Sequence, residues 1–130
     1  MFRLVKVLNS DTKAEVQLIP KKKNSTFSRG EALICLNGYA SSPNSTAFPE
    51  YIYLSQNNVA NPRKLEVMAV TEDSVFKADY SGTVTPYIGM PVGLSTKISG
   101  MDAVSYSSNG KGIIIGIDTD KDLVYVRFRK

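Results

Sequence analysis

Residues 112–128 read Gly112-Ile-Ile-Ile-Gly-Ile117, then Asp118-Thr-Asp-Lys-Asp122, then Leu123-Val-Tyr-Val-Arg-Phe128. Two runs of β-branched and aromatic residues flank five polar turn formers, which is the signature of a β-hairpin. In the second run Val124, Val126 and Phe128 fall on one face and Leu123, Tyr125 and Arg127 on the other. That is the period of two of a half-buried strand. Asn109-Gly-Lys-Gly112 supplies the turn that leads into the first run.

The same grammar extends towards the amino terminus. Phe2–Leu8, Glu31–Leu36, Glu50–Leu54, Leu65–Val70, Ser74–Ala78, Val92–Ser95 and Ala103–Tyr106 are further strand candidates. So is Ala14–Ile19, with Val16 and Leu18 on one face and Glu15 and Gln17 on the other, closed by Pro20. Thr83–Ile88 is interrupted by Pro86 and is at best an edge strand. Tyr39–Pro49, rich in Ser, Asn, Ala and Pro, reads as a long exposed loop, and Ser55–Arg63 as a polar connector. No helical period is sustained for ten residues. The pattern predicts an all-β protein, a compact β-sandwich or small β-barrel of about eight to ten short strands. Residues 1–130 are expected to form a single domain.

Composition bounds the chemistry. The chain has 130 residues, 42% hydrophobic and 22% charged. A chain of this length buries about 65–70% of its unfolded surface, enough for a core without disulfides or metal. No apolar run approaches the length of a membrane-spanning helix, so no membrane partner is expected. Met1–Leu8 mixes charge with apolar residues, unlike a secretory signal. Histidine is absent, which removes Ser-His-Asp and Cys-His nucleophile systems and most zinc and iron sites. The single cysteine, Cys35, lies in an apolar run and reads as a small buried hydrophobe. An enzyme would have to rely on Lys, Tyr or carboxylates. No catalytic residue, cofactor or metal is assigned.

Two apparent motifs lack their defining residues. Asp118-Thr-Asp-Lys-Asp122 begins like a calcium loop, but Leu123 stands where the loop needs Gly and Arg129 where it needs Glu. Asn109-Gly-Lys-Gly112 lacks the GxxxxGK[ST] frame of a phosphate-binding loop. Most of the aromatics are expected to pack in strands, with Tyr125, Arg127 and Arg129 as the best stripe for stacking nucleic-acid bases.

Charge is uneven. Sixteen basic and twelve acidic residues give +4. Residues 1–65 hold nine basic and four acidic residues, residues 66–130 seven and eight. The excess centres on Lys21, Lys22 and Lys23, with Lys13 and Arg29 nearby in sequence. Lys21, Lys22, Lys23 and Arg29 are the candidate partner contacts, for an acidic protein surface ahead of nucleic acid. Lysines that keep a turn soluble, or discourage strand pairing, are the plainer account of the same run.

Five segments carry a likeness in pattern and order. They are Ser28-Arg-Gly-Glu-Ala-Leu33, Pro49-Glu-Tyr-Ile-Tyr-Leu54, Leu65-Glu-Val-Met-Ala-Val70, Ile88-Gly-Met-Pro-Val-Gly-Leu94, and the terminal hairpin. From about residue 28 onward the chain resembles the small β-rich head decoration, or cement, proteins of tailed bacteriophages. The resemblance implies a non-enzymatic virion protein that stabilises a capsid by bridging neighbouring subunits. It implies the major capsid protein as partner and the capsid surface as location, after synthesis in the host cytoplasm. A homo-oligomer is expected, a trimer before other states. Other virion roles (head–tail connector, tail or fibre base) and a nucleic-acid-binding small barrel are the alternatives.

Overall fold

The computed structural model describes residues 1–8, 15–54, 63–118 and 122–130. Its strands are β1 (Arg3–Val7), β2 (Val16–Pro20), β3 (Ala32–Leu36), β4 (Tyr39–Ser41), β5 (Tyr51–Tyr53), β6 (Lys64–Ala69), β7 (Ser74–Tyr80), β8 (Pro91–Ser95), β9 (Ala103–Tyr106), β10 (Gly112–Asp118) and β11 (Leu123–Phe128). No helix occurs among the described residues. The all-β expectation holds, and the strands form two sheets.

The first sheet runs β1-β7-β11-β10-β8-β9. A parallel pairing of Asp79 with Ala103 and Tyr80 with Val104 joins β9 back to β7. This closes β7, β11, β10, β8 and β9 into a five-stranded barrel. β1 lies antiparallel on the earlier half of β7, with Arg3 opposite Lys77. The second sheet runs β2-β6-β5-β3-β4. It curls until parts of its edge strands β2 and β4 approach within 8 Å between Cα atoms.

The hairpin β10–β11 behaves as its alternation demands. Val124, Val126 and Phe128 are buried, and Ile114 meets Val126 in register. The register shifts between Ile114 and Gly116. That bulge leaves Ile115 half in solvent, although three isoleucines stand in a row. The turn before β10 is fixed by contact: a Cβ on Gly110 would sit 2.0 Å from the Val92 carbonyl oxygen. Of the turn between the two strands, residues 119–121 lie outside the described residues.

The second sheet has a core on each face. Ala32, Ile52 and Met68 stand side by side across β3, β5 and β6 and enter the barrel core with Phe2, Phe76 and Phe128. On the opposite face Leu33, Tyr53, Leu65 and Val67 form a second core with Ile19 and Ala40. Phe2 meets Phe128 edge-on, with ring centroids 5.9 Å apart, in a favourable aromatic geometry.

Three readings need correction. In β2 the period of two holds, but the apolar pair is the exposed one: Val16 is 58% and Leu18 63% accessible. Register explains this. Val16 pairs with Met68 and Leu18 with Glu66, on the barrel-facing side of the sheet, but β2 is an edge strand and the barrel does not cover it. Ile19, opposite Leu65, is the residue buried. The segment read as a loop from Tyr39 begins instead with β4. Asn37 and Gly38 both take positive φ, 52° and 85°, the geometry of a two-residue hairpin turn. Thr83–Ile88 forms no strand, and Val84, Tyr87 and Ile88 are exposed.

Because Ile52 belongs to the sheet that both cores share, replacing it with Ala is expected to cost about 2–5 kcal/mol. Both cores are expected to melt in one transition. Urea unfolding of Ile52→Ala, followed by backbone circular dichroism and by tyrosine fluorescence, checks this; separated midpoints would refute it.

Candidate functional site

The lysine run follows directly on β2. Pro20 pairs with Lys64 in the β2–β6 ladder. The Lys21 N–H donates to the Arg63 carbonyl at 2.8 Å. The antiparallel pairing therefore brings Arg63 and Lys64 beside Lys21–Lys23. The Asn37-Gly38 turn sends Tyr39 to the same place. Together Pro20, Lys21, Lys22, Lys23, Tyr39, Arg63 and Lys64 line a groove of about 690 Å³. Among the described residues, no carboxylate lines it.

The three lysines do different work. Lys21 is only 8% accessible, and its ammonium donates to the carbonyls of Ser25 at 2.6 Å and Lys22 at 3.2 Å. It is a strut that holds the Lys22–Ser25 turn, closed also by the Ser25 N–H on the Lys22 carbonyl. Lys22 and Lys23 are exposed, and the Lys22 ammonium stands 5.8 Å over the centre of the Tyr39 ring. Arg63 and Lys64 are also exposed. Among the described residues, no ion pair reaches Lys22, Lys23, Arg63 or Lys64. Lys13 lies outside the described residues.

Arg29 is elsewhere. It lines a separate groove of about 430 Å³ with Met1, Arg3 and Leu54. The sequence thus identifies the lysines but not Arg63, Lys64 or Tyr39. The signal for the first two was the basic pair just before a strong strand, and only the β2–β6 register gives it meaning. The aromatic stripe on β11 is not a free surface. The Lys77 ammonium covers the Tyr125 ring at 5.7 Å. Arg127 donates twice to the Glu72 carbonyl, at 2.9 and 3.2 Å, and faces Asp73. Cys35 is half-buried, and its N–H donates to Glu50 Oε1 at 2.7 Å.

A second cluster of charge serves the frame. Asp102 accepts the N–H groups of Lys97, Ile98 and Ser99 at 2.7, 3.0 and 3.0 Å. Burial alone would raise its carboxyl, but these three backbone donors and the terminal ammonium together hold it below the usual value. Asp79 is likewise held low: burial opposes, and the Met1 ammonium at 2.7 Å and Lys97 at 3.3 Å prevail. Glu31, 4% accessible, goes the other way, raised chiefly by burial and further by Asp102, despite the Ser28 N–H it accepts. The loop from Thr96 to Met101 is thereby pinned, with Ile98 at 83% exposure.

Comparison with known proteins finds no matching family, no matching curated protein and no matching solved structure.

The pinned loop gives the protein a defined acid limb. Asp79 and Asp102 have depressed folded-state values, so their contribution is complete above the unfolded carboxylate value of about 3.9 and is lost as pH falls through the lower folded value. Glu31 acts with opposite sign, favouring the fold as it becomes protonated. Asp102→Ala leaves three backbone donors without their acceptor. It is expected to cost about 1–3 kcal/mol at pH 7 and to flatten the loss of stability below pH 4. Denaturant midpoints measured from pH 2 to 7 test both parts; an unchanged acid limb would refute the assignment to Asp102.

Proposed function

We propose that this chain is a non-enzymatic structural protein of a virion, which decorates a bacteriophage capsid and bridges neighbouring capsid subunits. The observation that carries this reading is the basic groove. Four exposed cations stand together without an ion pair to any described residue, Lys22 and Lys23 on a turn held by Lys21, Lys64 at the start of β6 and Arg63 just before it. Such a surface offers recognition of an acidic partner by charge. The pattern likeness to head decoration proteins names the partner as the major capsid protein and the location as the capsid surface.

Bridging needs a second contact, and β3 separates two candidate surfaces. Its last residue, Leu36, pairs with Tyr39 at the groove. Its first, Ala32, donates its N–H to the Met101 carbonyl at 2.8 Å, beside the loop that displays Ile98. That loop is organised before any partner arrives, so docking it costs little conformational entropy. A stable interface buries about 1,600 Å² in total, much for one small domain. Copies arranged as a homo-oligomer, a trimer on a local symmetry axis, share the load and gain avidity.

The test adds purified protein to undecorated capsids and to free capsid subunits, then measures occupancy and the heat resistance of the particles. Occupancy on assembled capsids with little binding to free subunits is expected; equal affinity for both would refute the bridging role. Ile98→Asp, at an exposed position, is expected to leave the melting temperature unchanged and to weaken capsid binding about tenfold, the size of a single modest hot spot.

A further inference from the structure

We infer that the groove between the Lys22–Ser25 turn, β4 and the start of β6 receives an extended, carboxylate-bearing segment of the partner's polypeptide chain. The inference rests on the decoration reading for the partner's identity and on charge complementarity for the chemistry. Three observations set that chemistry. Among the described residues the lining holds cations and no carboxylate, so an anion entering it meets no repulsion from them. The cations are mainly lysines, compact point charges that suit single carboxylates at varied angles, with one guanidinium, Arg63. Tyr39, the one aromatic ring among the described lining residues, is 41% exposed, and the Lys22 ammonium stands over it at 5.8 Å.

The balance of charge and ring surface favours one of two polyanions. Single-stranded nucleic acid is held by a cationic groove together with aromatic faces on which bases stack. Here one ring among the described lining residues stands beside five cations, and a lysine already sits over it, so charge outweighs stacking surface. Beyond the Lys22–Tyr39 pair, the adjoining hollow of about 350 Å³ continues with Ser25, Thr26, Ser41 and Ser42, and with Phe27, whose ring packs against the second core. Hydroxyl groups there can donate to carboxylates or to backbone carbonyls of a bound strand. Lys22, Lys23, Arg63 and Lys64 are the contacting cations. Lys21 is a positioning residue, because its ammonium is engaged with the Ser25 and Lys22 carbonyls that shape the turn.

The probe is labelled poly-L-glutamate, read by fluorescence anisotropy with the full chain from 20 to 300 mM salt, with oligo-dT as the competing polyanion. Binding to polyglutamate is expected at low salt and should fall steeply as salt rises, since exposed charges are screened over about 8 Å at physiological ionic strength. The variant Lys22→Gln/Lys23→Gln/Arg63→Gln/Lys64→Gln should weaken it at least a hundredfold and flatten its salt dependence. A control with the same net charge, Arg3→Gln/Lys6→Gln/Lys111→Gln/Arg129→Gln, alters exposed cations elsewhere and should change affinity less than threefold. Lys21→Met should weaken binding several-fold yet keep the wild-type salt slope, because it disorders the turn without removing a contacting charge. Equal losses in the two quadruple variants would overturn the inference, leaving net charge as the whole effect. Tighter binding to oligo-dT, abolished by Tyr39→Ala, would overturn it in favour of nucleic acid. Capsid occupancy unchanged by the groove variant would overturn the groove while sparing the decoration role. Polyglutamate binding lost only in that variant, with no occupancy on capsids, would uphold the groove's chemistry and overturn the decoration role.

Discussion

The row Ala32–Ile52–Met68 is the constraint on which the rest of the molecule depends. These residues are neighbours across three strands, and each is flanked in its own strand by a residue of the other core: Leu33, Tyr53 and Val67. The middle of the second sheet is therefore a wall between two interiors. Its strands cannot alternate apolar with polar there, because neither face meets water. β6 shows the rule and its limit: Val67 and Met68 are both buried, while Glu66, further along the barrel-facing side, is in solvent. Away from that row, as at Glu66 of β6 and along β2, a face meets water again.

That wall explains what could be read from the residues and what could not. The hairpin β10–β11 was legible because one face of each strand meets water, so alternation marks the core side. The orientation of β2 was not, since its exposed pair, Val16 and Leu18, is as apolar as Ile19, and only the pairing with β6 decides which side is covered. β4 was hidden by its Ser- and Ala-rich composition, although Asn37-Gly38 is a strong local signal for a hairpin turn. At Thr83–Ile88 strand-like residues gave no strand; Pro86 denies the segment one donor, and the Tyr80 hydroxyl instead engages the Val84 carbonyl. In the groove, the lysine triplet was visible and its partners were not, because Arg63 and Lys64 join it only through the ladder between β2 and β6. The role of Lys21 had no sequence signal at all: adjacent lysines look alike until one ammonium is found among carbonyls.

The protein divides its charges by use. Asp79, Asp102, Lys97 and the terminal ammonium tie the start of the chain to the loop between β8 and β9. Arg127 fastens the turn between β6 and β7. These groups are consumed by structure, and the acid-limb behaviour of the fold follows from them. Lys22, Lys23, Arg63 and Lys64 make no ion pair with any described residue, and this makes the groove the natural place to look for a partner. Buried and paired charge sets how the frame responds to pH, while exposed charge sets what the surface attracts and how salt weakens it.

The pairing of β1 with the earlier half of β7 has a consequence for how the chain comes into being. Arg3 finds its partner only once Lys77 exists, and the barrel closes on β9 and β11 later still. On a ribosome, the first strand emerges long before anything can cover it, carrying Phe2 and Leu4 towards a core not yet made. The second sheet, whose strands all lie between Val16 and Ala69, is complete sooner. Folding of so non-local a topology is slow compared with that of helical bundles. Vectorial synthesis therefore favours assembling the wall first and wrapping the barrel onto it, with the amino-terminal strand as one of the last pieces to be seated.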